Sequence, residues 1–120
     1  MNLVNLTNRP IVIVDDQGCE RLTLKPSGIV VGVSVIPKVV NNIQTESSSD
    51  RMIDVVTYKY EGVSNLPPKI EDTMYVVSFA VLQALNDSRA DVVSPDTSPG
   101  SVVRAPNTSR VIGVQRFRKL

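Results

Sequence analysis

The turn Ser98-Pro99-Gly100-Ser101, followed closely by Arg104, has the residue types of an anion cradle. Small side chains let an anion approach backbone donors, and a guanidinium can grip two phosphate oxygens at once. Pro99 removes one of those donors, and no Walker-type glycine-lysine pattern or dinucleotide fingerprint accompanies the turn. The same residues would serve equally as a plain connection between strands. Phe79, next to Ser78, has the chemistry to stack on a base or cap a pocket, and its alternative is an ordinary place in the core. Arg110 adds a second guanidinium near Arg104 in sequence. Phe79, Ser98, Gly100, Ser101, Arg104 and Arg110 are therefore the ligand-binding candidates.

Catalytic chemistry is harder to assemble. Asp91 and Asp96, or Asp15 and Asp16, offer oxygens to a hard cation, but two aspartates leave most of a coordination shell unspecified. Asp96 before Thr97 and Ser98 reads more simply as an Asx turn, its carboxylate bonded to nearby amides. The chain has no histidine and one cysteine, Cys19. That excludes an intrachain disulfide, a Cys-His nucleophile pair and a thiolate-imidazole metal site within one chain. No catalytic residue, metal or cofactor is assigned, and a non-enzymatic role is expected.

The 120 residues suffice for one modest core, so a single globular domain over 1–120 is expected. Aromatic residues make up only 4%, against 42% hydrophobic in all, so valine, isoleucine and leucine must fill that core. Their β-branched members favour pleated strands. So few aromatics also argue against a nucleic-acid surface built on stacked bases. The net charge of +1 hides an asymmetry: Arg104, Arg110, Arg116, Arg118 and Lys119 fall in the last 20 residues with no acid among them. These five of 13 basic residues leave eight against 12 acidic ones elsewhere, a net of −4. Such a strip suits phosphate or an acidic partner, and equally the protein's own polar groups.

The elements that must position these residues are mostly strands. Ile11–Val14 is a continuous apolar run, Asp16-Gln17-Gly18 has turn chemistry, and Glu20–Leu24 alternates as a return strand. Lys25–Gly28 turns the chain into a long β-branched strand over Ile29–Ile36. Asn41–Asp50, with few apolar residues and a serine cluster, reads as an exposed loop. Another strand follows over Met52–Tyr60, then a stiff connection at Pro67-Pro68. Thr73–Val77 is β-branched, whereas Phe79–Leu85 is richer in helix formers. Ser78 suits the N-cap of a short helix near 78–86, with Phe79, Leu82 and Leu85 on a similar face. Short strands separated by proline turns complete the chain, with Arg116 and Arg118 at one parity of the last. The expected fold is α+β and mostly β: a small antiparallel or mixed sheet, barrel-like closure among the options, with one short covering helix.

Two further features bear on partners. Tyr58 and Tyr60 share a strand face, and together with Tyr75 they offer surfaces of the kind found at protein interfaces. A homo-oligomer is accordingly expected. Asn5, Asn86 and Asn107 match the glycosylation pattern, but no positively charged leader with an apolar run is visible, and they read as chance matches in polar turns. No apolar run approaches membrane-spanning length.

The stretches NLTNRPIVIVDDQG, LKPSGIVVGV, TMYVVSFAVLQAL and RADVVSPDT, taken in order, resemble a family of small phage and prophage proteins, many of unknown function. The likeness covers most of the chain and fits the serine-rich loop less well. More distantly, the architecture resembles phage-encoded sponge proteins that sequester cyclic nucleotide immune signals. That resemblance implies a non-enzymatic, oligomeric protein in the host cytoplasm, holding an adenosine-diphosphate-ribose-type signal with aromatic and arginine residues. Phe79 with Arg104 or Arg110 would match those roles by residue type alone. The competing expectation is a phage structural or protein-interaction module that forms a homo-oligomer.

Overall fold

A computed structural model describes residues 1–48 and 51–120. Its centre is a four-stranded mixed sheet. β1 (Asn2–Asn5) and β7 (Val92–Pro95) flank β6 (Thr73–Val76) in parallel, and β10 (Phe117–Arg118) joins β7 antiparallel. Alternation along Met74–Val77 decides what each face meets. Tyr75 and Val77 face one cluster with Leu6, Val31, Val81, Leu82 and Val92, whereas Val76 faces another with Ile11, Ile13, Val93 and Val114. The first cluster is closed by the helix α1 (Phe79–Leu85). The second is closed by another four-stranded sheet, ordered β3 (Glu20–Leu24), β2 (Ile11–Val14), β9 (Val111–Val114) and β8 (Val102–Arg104). The body is thus three layers deep, with the central sheet between two thin cores. Burial of each core valine or leucine stabilises it by about 1.5–3 kcal/mol. Neither strand order closes on itself, so the mixed-sheet expectation is realised as open layers and not as a barrel.

The helix forms where its sequence signals place it. Ser78 is extended, its Oγ accepts the Val81 N–H at 3.4 Å, and Asn86 ends the helix in the left-handed conformation. Val81 and Leu82 are buried, with Phe79 and Leu85 packed partly beside them. In the outer sheet, β9 comes unusually close to β2: a Cβ on Gly113 would stand 2.5 Å from the Val12 carbonyl oxygen. Only glycine permits that approach.

The remaining strands leave the body. β4 (Gly32–Ile43) and β5 (Ile53–Ser64) pair only with each other, forming an antiparallel ribbon of 12 residues a side. The radius of gyration, 18.2 Å, exceeds the roughly 14 Å of a compact chain this long, as a projecting arm requires. Val33 and Val63 root the ribbon in the helix-side core. Next to that root, Gly62 at φ +71° lies in a bulge where the register steps from Gly32↔Ser64 to Ser34↔Glu61.

This arm corrects two boundaries read from the sequence. The strand expected over Ile29–Ile36 starts three residues later and runs on through Pro37 to Ile43. Proline is tolerated because alternate N–H groups of a two-stranded ribbon point away from its partner. The exposed loop expected at 41–50 begins later as well. Asn41–Ile43 belong to β4, their polarity harmless on a ribbon with water on both faces, and Glu46–Ser48 make a 3₁₀ turn. Ser49 and Asp50, the end of that expected loop, lie outside the described residues. Among the described residues no helix is long and apolar enough to cross a membrane.

Candidate functional site

The structure spreads the predicted ligand residues over both sides of the central sheet. Phe79 opens α1 on one side, half-buried, with the Arg118 guanidinium 4.1 Å from its ring centroid. The Ser98–Ser101 turn and Arg104 belong to the outer sheet on the other side. The central sheet therefore separates the aromatic group from the guanidinium it was to join. Arg104 and Arg110 do come together, at the two ends of the β8–β9 connection, where the Ala105 N–H donates to the Arg110 carbonyl at 2.8 Å. Both are exposed, and the Arg104 guanidinium donates to the Ser109 carbonyl.

Inside the Ser98–Ser101 turn the Ser98 and Ser101 amides both bond within the fold. Asp96 organises it: Oδ1 accepts the Ser98 N–H at 3.0 Å, and Oδ2 accepts Arg116 Nε at 2.6 Å. Ser101 is fully buried, and its Oγ accepts the Gln115 N–H at 3.1 Å. A Cβ on Gly100 would stand 3.3 Å from an Arg116 Nη, so the guanidinium covers the turn closely. The Asx turn expected at Asp96 is present, and Arg116 completes it. The shared parity of Arg116 and Arg118 carries them to no common surface: one meets Asp96, the other Phe79. Lys119 Nζ donates to the Ala90 carbonyl at 2.7 Å. Most of the basic C-terminal strip is therefore engaged within the molecule.

Hydrogen bonds from Ser98, first its amide and then its hydroxyl, together with Arg116, hold the Asp96 carboxyl down at about 2 against an ordinary 3.8. A depressed acid stabilises the fold above its unfolded value and ceases to do so as pH falls through its folded value. A carboxyl-carbon NMR titration is therefore expected to place the Asp96 midpoint near 2, with the Ser98 amide shifting in the same step. A midpoint near 3.8 would mean that the turn is open in solution.

Three features escape a reading by motif. Asn5, in β1 and not in a turn, is 2% exposed and joins three segments through its amide. Nδ2 donates to the Arg9 and Leu24 carbonyls at 2.8 and 3.0 Å, and Oδ1 accepts the Thr7 N–H and hydroxyl at 2.9 and 2.7 Å. The tripeptide that matches a glycosylation signal is thus an internal clamp. Arg89 grips Asp91 bidentately, both contacts at 2.8 Å, and donates to the Pro67 carbonyl at 3.0 Å. The buried Tyr75 donates its hydroxyl to the Pro68 carbonyl at 3.0 Å, so it is no surface residue. Together Arg89 and Tyr75 pin the diproline segment that leads the chain back from the arm.

The third feature is the arm itself. Cross-strand register places Val35 opposite Tyr60, Pro37 opposite Tyr58 and Val39 opposite Val56. Directly opposed residues share a face, so these six form one apolar and aromatic stripe. Its other face carries Ser34 with Glu61, Ile36 with Lys59 and Lys38 with Thr57 toward the root, and Asn41 with Val55 and Ile43 with Ile53 toward the tip. On the stripe, Tyr58 is 55% exposed and Val39 52%. The signal was present in the shared face of Tyr58 and Tyr60, but the matching valines lie on a strand whose bulge at Val40 breaks the alternation.

Two open depressions lie among the described residues. One, of about 290 Å³, lies beside Lys69–Met74, and the other, of about 470 Å³, lies between Pro10–Val12 and Val111–Val114. None of the predicted ligand residues lines either of them. Among the described residues, no three acidic or cysteine side chains group as a metal site. The architecture is that of a small, mostly β, α+β domain with a projecting ribbon. Comparison with protein-family models, curated proteins and solved structures found no match for the chain.

Proposed function

We propose that this chain is a non-enzymatic interaction module, a structural or accessory component of phage type, whose working surface is the apolar face of the β4–β5 arm. One observation carries the reading: six apolar and aromatic side chains form a continuous stripe on a ribbon that, beyond its helix-packed root, has no covering layer. Exposed apolar patches of this continuity mark interaction sites, and an uncovered two-stranded ribbon is marginally stable in water. The resemblance to small phage proteins supplies the biological setting. In-cell photo-crosslinking from a benzoylphenylalanine at position 58, with Thr23 on β3 as the exposed control, tests the surface. Adducts of discrete mass are expected from position 58 and none from position 23. No adduct from position 58 overturns the reading, whatever the partner.

A second reading is a binder of a nucleotide-like or other phosphate-containing small molecule that counters host immunity. It rests on Arg104 and Arg110, both exposed, at the two ends of the β8–β9 connection. It ranks second because Phe79, the group to stack on a base, lies across the central sheet from them. Purified protein that releases no nucleotide on denaturation, and shows no thermal shift with linear or cyclic nucleotides, would eliminate it.

A further inference from the structure

We propose that the occupant of the arm's apolar face is a second copy of the chain, the two arms stacked face to face and antiparallel about a two-fold axis at Tyr58. This inference rests on the arm as the working surface and names its partner. The stripe is graded in size along its length. Its body-proximal end carries Tyr60 with Val35, its middle Tyr58 with Pro37, and its distal end the smaller Val56 with Val39. A two-fold axis in the plane of the interface, perpendicular to the arm, lays β5 over β5 and β4 over β4 in reverse order. Tyr60 of one copy then covers Val56 of the other, Val35 covers Val39, and the two Tyr58 rings meet at the axis. Large side chains fall on small ones at both ends, as interdigitating sheet faces require. The charged Lys38, Lys59 and Glu61 stay on the outer faces, in water. A heterologous apolar partner would need no such grading.

Area sets the strength of the association. From their exposures, the six stripe residues offer roughly 400 Å² per copy, and Asn42 and Asp54 extend this toward about 500 Å². The total of about 1,000 Å² lies at the lower limit of specific interfaces, so dimerisation depends on concentration. Sedimentation equilibrium of the full chain is expected to show a shift from one to two chain masses as concentration rises. Tyr58→Lys sets two like charges against each other at the axis and is expected to weaken association by roughly a hundredfold. Thr57→Lys, on the opposite face, is expected to leave it unchanged. Residue 58 is exposed, so both variants should keep the wild-type melting transition. In a mixture of ¹⁴N- and ¹⁵N-labelled chains, the position-58 photo-adduct should join one of each and map to Pro37 or Tyr58.

A single chain mass at every concentration overturns the dimer, as does an oligomer that survives Tyr58→Lys or falls apart equally with Thr57→Lys. If position 58 nonetheless gives adducts with another molecule, the arm remains an interaction surface and only its self-pairing is refuted.

Discussion

Asn5→Asp is expected to destabilise the protein by about 3 kcal/mol at neutral pH, although it changes one atom of a side chain. Asn5 uses its full hydrogen-bonding capacity, two donors and two acceptors, while almost wholly buried. A carboxylate keeps the two bonds from Thr7 but turns an anionic oxygen toward the carbonyls of Arg9 and Leu24. The introduced acid would resist ionisation in the fold, so its pKa is raised and the penalty grows as pH rises through the unfolded value of about 3.9. Urea unfolding across pH should therefore show the variant recovering part of its loss in acid. Asn5→Ala, which strands the same carbonyls without adding charge, is expected to cost about 2 kcal/mol at every pH. Equal losses for the two variants would show that the clamp acts through shape and not through its donors.

Arg89→Ala is expected to cost a similar amount, about 2–4 kcal/mol, by leaving the Asp91 carboxylate buried without its partner. The Asp91 side chain is 5% exposed. The hydrogen bond from Arg89 holds its pKa below the ordinary carboxylate value, against the opposing effect of burial. In the wild type that interaction is complete above the unfolded carboxylate pKa and is lost as pH falls through the depressed folded value. Arg89→Ala should consequently lose less stability in acid than at neutral pH. Arg89→Lys keeps a charge but not the fork of donors, so it should recover only part of the loss. The Pro67 carbonyl loses its partner in both variants, which should show as faster hydrogen exchange around Leu66 and Lys69. A flat difference from wild type across pH would separate the stability of the fold from this ion pair.

Both clamps lie in stretches that drew notice for other reasons, Asn5 as a glycosylation match and Arg89 with Asp91 within a resemblance. Local signals were legible where the deciding contacts are local. Ser78 caps the helix from three residues away, Asp96 bonds an amide two residues on, and Ile11–Val14 and Glu20–Leu24 form adjacent strands. What sequence could not show is which side of the central sheet each group occupies. Phe79 and Arg104 have suitable chemistry, but Phe79 follows a strand of the central layer and Arg104 belongs to the outer one. Arg116 and Arg118 misled for a related reason. Treating residues 111–118 as one strand assigns them a common face, but the chain leaves β9 after Val114 and joins the other sheet at Phe117. The arm was obscured because it lacks the burial contrast that normally writes a strand into sequence. With water on both faces, Asn41, Asn42 and Ser34 fit its ladder as readily as valine.

The pairing of β1 with β6 also dictates the order in which the chain can assemble. Asn5 sits beside Val76 in a parallel ladder, and Ile13 bridges to Val114. During synthesis β1 therefore waits for a partner made some 70 residues later, and β2, which can pair with β3 at once, for its other neighbour made some 100 residues later. The β4–β5 hairpin, closing on its own neighbours, needs none of them. Loop closure over such distances is slow relative to hairpin formation, so the ribbon forms while the layers that root it are still incomplete. Its uncovered tyrosines and valines are then the most adhesive part of an unfinished chain, held from indiscriminate pairing by Pro37 and by the lysines of the opposite face.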